Sequence, residues 1–279
     1  MSMQTLNIAH LTFMEARQRR LLWAVALLGF AFLALFAVGF FLVHREFTRQ
    51  AASNLSELFE VTDFFLLAGL YVVNFLMIML AVLTSVDTIA GEISSGTIHT
   101  IVTKPLRRWE VVLGKWLGLA GMLTVFTIVM SAGMMLIVWL IAGYRPPSPV
   151  QGIALMVVEG WVLLTLSILG GTRLSTLTNG VVVFMLYGLA FIAGWIEQIG
   201  AVVRNEAAVN IGIVASLLMP SEAMWKRAAY LMEPPFLRAL GIHPFSSVST
   251  PSTAMVAYTI AYILLGLSAA IYSFQQRDL

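Results

Sequence analysis

One carboxylate sits where a carboxylate is costly. Glu159 lies inside an otherwise uncharged apolar run, eight residues past Gln151, hence roughly 12 Å along a helix from its outer end. Ionisable groups at such depth usually face a cavity or a partner. Two readings are open: a substrate-path or gate residue, or a protonated, hydrogen-bonded structural contact. Ser131, Thr165 and Ser167 are polar groups able to satisfy the second.

The remaining reactive side chains make no catalytic set. His10, His44, His99 and His243 are scattered without a metal-ligand spacing. There is no cysteine, which excludes disulfides, thiolate metal sites and cysteine nucleophiles. The run Gly91-Glu92-Ile93-Ser94-Ser95-Gly96 does not match the Gly-x-Ser-x-Gly turn of a serine nucleophile. Gly114-Lys115 is followed by Trp116, and position 109 is Trp rather than Gly, so no loop cradles a phosphate. No catalytic residue, no metal site and no cofactor held by this chain are expected. The 15 methionines read as packing side chains rather than metal ligands.

The elements that hold Glu159 are membrane helices. Of 279 residues, 59% are hydrophobic and 11% charged, against roughly 25% charged in a soluble domain. No soluble core could bury so much apolar surface with so few charges to cover it. Lipid must solvate much of the outside. Six runs are long enough to cross a bilayer core, which takes about 20 residues: 21–43, 64–86, 116–143, 153–172, 180–196 and 254–274. The fold class is therefore all-α integral membrane, with one domain over 1–279. The first run is too long for a signal-peptide core. Lys and Arg pairs are too dispersed for a nucleic-acid surface.

Positive charge orients the chain. Arg17, Arg19, Arg20, Lys104, Arg107, Arg108, Lys115, Arg173 and Arg277 fall on one side. Arg45, Arg49 and Arg145 fall on the other, with Arg204, Lys226, Arg227 and Arg238 in one long loop there. Both termini are expected in the cytoplasm of a multi-pass cell-membrane protein.

The aqueous segments are unequal. Residues 1–20 read as an amphipathic helix with Leu6, Ala9, Phe13 and Ala16 on one face and Asn7, Thr12, Glu15 and Arg17 elsewhere, lying along the inner membrane surface. The outer loop, 197–253, is too apolar to be a floppy connector. Residues 207–219 form an apolar stretch stopped by Pro220 and too short to span, a kind of piece that lies in the interface or dips back between helices. A second amphipathic piece begins at Ser221, a good N-cap residue, and Pro234-Pro235 ends it. Trp225 and Tyr230 suit the headgroup layer. Gly114, Gly118 and Gly121 permit close helix approach, within the subunit rather than across a dimer.

Residues 87–115 form a cytoplasmic segment bracketed by breaks. Gly96 interrupts what precedes it, residues 97–103 make one or two helical turns, and Pro105 disfavours helix at Lys104. A new helix starts at Arg107 and runs into the third span. A short helix held at the mouth of a bundle can receive a push; an ordinary connecting loop is the alternative.

The string Gly91-Glu92 … Ser95-Gly96-Thr97 … Lys104-Pro105-Leu106-Arg107-Arg108 … Glu110-Val111 … Leu113-Gly114-Lys115 resembles the signature of ABC-2-type ABC transporter permeases. The likeness is greatest to six-helix permeases similar to the copper-related NosY proteins. Thr176-Leu177-Thr178-Asn179-Gly180 into Gly194-Trp195-Ile196-Glu197, Met219-Pro220-Ser221-Glu222-Ala223-Met224-Trp225, and Leu11-Thr12-Phe13 with Glu15-Ala16-Arg17 are similar too.

That resemblance implies a type V exporter. Two copies pair as a homodimer, and each docks an ABC ATPase subunit that carries ATP and Mg. Residues 97–103 become a coupling helix, with Thr97, Ile98, His99 and Ile101 in a cleft of the ATPase. Glu92, Lys104, Pro105, Arg107 and Arg108 form the surrounding turn. The first helix becomes a connecting helix beside it. A competing function is a membrane subunit that transmits ATP-driven motion to an extracytoplasmic partner through the outer loop, without moving a solute. An intramembrane enzyme is disfavoured, because no polar residues are paired at matching depth.

Overall fold

The structure is a computed structural model and describes residues 3–18, 20–50, 55–94, 107–236 and 249–277. The described residues form α1 (Met3–Gln18), α2 (Arg20–Gln50), α3 (Leu55–Ser94), α4 (Arg108–Ala142), α5 (Pro149–Gly171), α6 (Thr176–Val202), α7 (Glu206–Leu218), α8 (Ser221–Met232) and α9 (Thr253–Gln275). No strand occurs among them. Six of these helices (α2, α3, α4, α5, α6 and α9) are long and apolar enough to cross a membrane. They match all six expected runs to within one residue at the C-terminal ends of 116–143 and 153–172, but α3 extends well beyond 64–86 and carries Asp63, Asp87 and Glu92 outside its apolar stretch.

Local chemistry sets the helix ends. Gly143 takes φ +67°, a left-handed conformation that glycine adopts without steric penalty, and closes α4. Pro146 and Pro147 prevent its continuation, and Pro149 opens α5 at a position where a missing N–H costs nothing. The Ser175 and Asn205 side chains accept backbone N–H bonds from Thr178 and Ala208 and start α6 and α7. Arg107 precedes α4, and its N–H donates to the Glu110 carboxylate at 3.0 Å.

Burial separates the centre from the rim. Two thirds of the apolar stretch of α3 and of α5 is buried, against 17% for α2. The core therefore runs along α3 and α5, with Leu66, Leu70, Met77, Met156, Leu163 and Ile168 fully enclosed. Apolar side chains of α2, α6 and α9, such as Leu35, Leu189 and Leu265, point outward. In lipid such exposure carries no penalty. Asn179 locks α6 to α5 by donating from Nδ2 to the Ser167 carbonyl at 2.8 Å.

Two of the aqueous segments are packed by contacts their own sequences do not announce. In α1 the buried residues are Thr5, Thr12 and Ala16, whereas Leu6 is 53% exposed. Its inner face is chosen by fit rather than hydropathy. A Cβ at Gly118 would stand 2.5 Å from the Ala9 carbonyl oxygen and 2.8 Å from Thr12 Cβ, so small and polar residues of α1 nest on the glycines of α4. Gly114 meets Ile8 in the same way, and Gly121 makes only an ordinary contact with Phe13.

The outer loop follows one of its two expected courses, dipping back into the bundle, but Trp225 and Ser221 do not take the roles expected of them. Its two short helices, α7 and α8, are bent by 110° at Met219-Pro220, and Met219, Ser221, Met224 and Trp225 at and after the bend are buried in the bundle. Trp225 packs edge-on against Tyr71 of α3 at 5.4 Å instead of occupying a headgroup layer. Ser221 is the first helical residue, after Pro220, and its side chain makes no cap. The helix end was legible from Pro220, but a buried bend left the serine hydroxyl without a role in capping.

Candidate functional site

Two places gather polar chemistry. The first is the stem of the 95–106 segment. Lys115 of α4 is 4% exposed and donates to the Glu92 carboxylate and, at 3.1 Å, to the Thr88 carbonyl of α3. These bonds join the two helices where the segment leaves and returns. Arg108 donates from Nη1 to the carbonyls of Gln275 at 3.0 Å and Arg277 at 2.7 Å, satisfying the end of α9. Arg277 in turn donates to the Thr172 carbonyl, and Arg173 Nε to Ser273 Oγ at 2.9 Å. Arg107 is exposed. Of the expected docking residues, Glu92 and Arg108 thus have partners within the chain, and Arg107 faces outward. Thr97, Ile98, His99, Ile101, Lys104 and Pro105 lie outside the described residues.

The second place is inside the bundle. Glu159 stands ten residues from Pro149, about 15 Å into a 23-residue helix and so near its middle. It is fully buried, neither carboxylate oxygen meets a partner in good hydrogen-bond geometry, and the Asn74 side chain is its hydrogen-bonding neighbour. Gly160 packs against the Met77 side chain, and that close approach brings Glu159 alongside α3, where the Asn74 side chain lies beside it. Asn74 is 3% exposed, and its Oδ1 also lacks a partner.

Of the three polar residues expected to satisfy Glu159, two are engaged elsewhere and none bonds to it. Thr165 Oγ1 donates to the Trp161 carbonyl at 2.7 Å and accepts from Trp116 Nε1 at 2.9 Å. Ser131 Oγ faces Met156 Sδ. Ser167 Oγ has no partner.

The bent pair contributes more charge. Glu222 opens α8 and packs on Gly194 of α6, where a Cβ would lie 2.6 Å from Glu222 Cγ. One turn later, Lys226 Nζ lies 2.7 Å from Glu197 Oε2 of α6, and Ser249 Oγ donates to the other oxygen at 2.6 Å. Three buried carboxylates, Glu159, Glu197 and Glu222, thereby cluster with Lys226. Sequence reading singled out Glu159 alone. Glu197, Glu222 and Lys226 were assigned to an aqueous loop because the stretch between them is too short to span. The available signal was the pair of stretches around Gly194 and Pro220, which meet in space.

Beside this cluster is a cavity of about 370 Å³ between α3 and α6, lined by Tyr71, Val72, Asn74, Phe75, Tyr187 and Phe191. Glu159 is close enough to Tyr71 and Tyr187 to act on them electrostatically. No group of three or more His, Asp or Glu able to hold a metal occurs among the described residues.

An all-helical bundle with six candidate spans and a buried polar centre fits a transporter, and the family comparison agrees. The family model described as ABC-2 family transporter protein matches residues 6–279. The chain belongs to the ABC-2 family of transporter proteins. It is a multi-pass membrane protein and the permease component of an ABC transporter, and membership implies association with an ABC ATPase and a dimeric arrangement. A comparison with curated proteins gives no match. In this ABC-2 chain the stretch Gly194 to Glu197 packs on the stretch Met219 to Trp225, so two separate parts of the resemblance form one structural unit.

Proposed function

We propose that this ABC-2 chain is the permease subunit of an exporter of type V architecture, related to NosY-like permeases, which moves a substrate using ATP hydrolysed on a separate subunit. In this reading both termini and residues 87–115 are cytoplasmic, two copies form a homodimer, and each docks one ATPase through residues 97–108. The observation that carries it is the pairing of family membership with a rigid stem: Lys115 ties Glu92 and Thr88 to α4 at the base of the docking segment. A push on that segment is transmitted directly to α3 and α4, and α3 is a core helix.

Transport is favoured over transmission of motion to an outside partner by the interior of the bundle. A purely mechanical subunit has no use for a carboxylate and an amide at mid-membrane, which cost several kcal/mol in hydrocarbon. Here Glu159 and Asn74 are buried side by side, with Asn74 on the wall of a cavity.

The test is co-purification with the cognate ATPase and its stimulated hydrolysis. The chain alone is expected to hydrolyse no ATP. Arg107→Glu and the truncations Ile98→Ala and Ile101→Ala are expected to weaken docking, the truncations more per residue, because apolar anchors dominate association. Arg108→Glu serves as a contrast, since Arg108 caps α9. Unchanged co-purification and ATPase stimulation in a triple Arg107→Glu, Ile98→Ala, Ile101→Ala variant would show that the segment is only a connector.

A further inference from the structure

Three helices fail to close on one another at one level of the bundle. α1 nests on α4 at Gly114 and Gly118. α2 meets α4 further along, where a Cβ at Gly29 would stand 2.9 Å from Met130 Sδ and one at Gly133 3.1 Å from Leu33 Cδ1. Between these two contacts the helices leave a cavity of about 240 Å³. Its walls are Phe13 of α1, Leu22, Ala26 and Phe30 of α2, and the 122–130 stretch of α4. Among the described residues that line it, Arg17 alone carries a polar side chain, and it is exposed at the α1 end.

The shape is that of a slot for one hydrocarbon chain. From Met122 to Met130 the slot runs roughly 12 Å along α4. That is close to the depth of one leaflet, in a hydrocarbon core about 30 Å thick. Phe30 and Val125 line the slot and are each 54% exposed, so it opens sideways toward lipid rather than into the bundle.

The mouth lies at headgroup depth. Arg17 and Arg20, both exposed, flank the corner between α1 and α2. The Trp23 indole fixes that corner by donating to the Arg17 carbonyl at 3.0 Å. Trp23 is itself exposed, as suits a tryptophan among headgroups. Glu15 stands roughly 200° round α1 from Arg17, so the mouth is positive.

An apolar slot left empty forfeits dispersion contacts, and any lipid tail can restore them. What distinguishes one lipid from another is the charge at the mouth. A chain seated here puts its phosphate beside Arg17, whose planar fork matches two phosphate oxygens. A choline headgroup brings its own ammonium and offsets that gain, whereas a glycerol headgroup leaves the phosphate charge to the arginines.

We propose that the cavity between α1, α2 and α4 holds one acyl chain of an anionic phospholipid, with its phosphate on Arg17 and Arg20 at the Trp23 corner. A membrane lipid thereby completes the packing of α1 against the bundle. This binding does not rest on the exporter reading. Only the leaflet, the cytoplasmic one, follows from the charge asymmetry of the chain.

The experiment uses the full chain, delipidated in dodecyl maltoside, with native mass spectrometry to count bound lipids. Dioleoyl phosphatidylglycerol and dioleoyl phosphatidylcholine are the probes, since they share acyl chains and differ in headgroup charge. One phosphatidylglycerol per chain is expected to bind at roughly fivefold lower concentration than phosphatidylcholine, the scale of one arginine acting on an anionic lipid. Arg17→Gln is expected to abolish that preference and to leave the weaker phosphatidylcholine binding in place. Ala26→Phe, which fills the slot, is expected to remove the site for both lipids. Val125→Phe narrows the open side with the same result, and keeps the test open where Ala26→Phe disturbs the α2–α4 contact. Leu189→Phe, on the lipid-facing side of α6, leaves binding unchanged. The melting temperature of each variant is read alongside, and phosphatidylglycerol is expected to raise that of the wild-type chain more than phosphatidylcholine does.

Equal retention of the two lipids by the wild-type chain overturns the proposal. Unchanged phosphatidylglycerol binding in a folded Arg17→Gln or Ala26→Phe chain does so as well. A chain that binds lipid as a monomer and sheds it as a dimer also overturns it, since the slot would then be a contact between subunits. Co-purification with the ATPase is scored separately. Lost docking with intact lipid binding would remove the exporter reading alone, and intact docking without lipid binding would remove this proposal alone.

Discussion

Lys226 Nζ of α8 lies 2.7 Å from Glu197 Oε2 of α6, and both side chains are more than nine tenths buried. The ion pair pins the bent α7–α8 element to the span that precedes it. Breaking one partner of a buried pair leaves an uncompensated charge, at a cost of about 3–5 kcal/mol, while replacing both by apolar groups is often near neutral. Lys226→Met is therefore expected to lower thermal stability in nanodiscs strongly, and Lys226→Met combined with Glu197→Leu to recover much of the loss. Equal destabilisation by the single and double variants would show that packing rather than charge holds the element.

The α1–α4 contact makes a second prediction. At Gly118 a Cβ would meet backbone, the Ala9 carbonyl, at 2.5 Å, and backbone cannot swing aside as a flexible side chain does. Gly121 faces only Phe13 at 3.9 Å. Gly118→Ala is expected to cost about 1–3 kcal/mol and to expose α1 to limited proteolysis, while Gly121→Ala leaves both unchanged. Equal protease sensitivity in the two variants would contradict the nesting of α1 on α4.

How much of this was legible in the sequence depended on the scale of the feature. Apolar runs of 17 or more residues revealed every span, because lipid demands continuous hydrophobicity whatever the tertiary contacts. Pro220 and Pro234-Pro235 marked the ends of the short outer helices because proline acts locally. The contacts were not legible. Whether Thr12 faces in or out is decided by a glycine on another helix, Gly118, and not by its own polarity. Whether Trp225 sits in a headgroup layer or on Tyr71 is decided by a 110° bend. Glu159 stood out because a charge in an apolar run is conspicuous by itself. Glu222 and Lys226 did not, since a helix of 12 residues gives no sign of its depth.

The burial of the bend also governs how membrane orientation is best tested. Ser221 follows Pro220 and would be a natural labelling position on an open loop, but it is fully buried here and a cysteine there would be masked. Val203, 64% exposed at the end of α6, and Gln276, exposed after α9, are accessible instead. They stand at opposite ends of the bundle, because α6 runs from Thr176, beside Asp87 near the stem, to Val202 at the far end, and α9 returns to Arg108. In this cysteine-free chain, single cysteines report without background. The excess of Lys and Arg near Gln276 and Arg108 predicts that end to be cytoplasmic. On intact cells an impermeant maleimide is expected to label Val203→Cys and to spare Gln276→Cys until the membrane is permeabilised. Labelling of Gln276→Cys alone would invert the orientation and place residues 97–108 beyond the reach of a cytoplasmic ATPase. Labelling of both on intact cells would break the odd number of crossings between them.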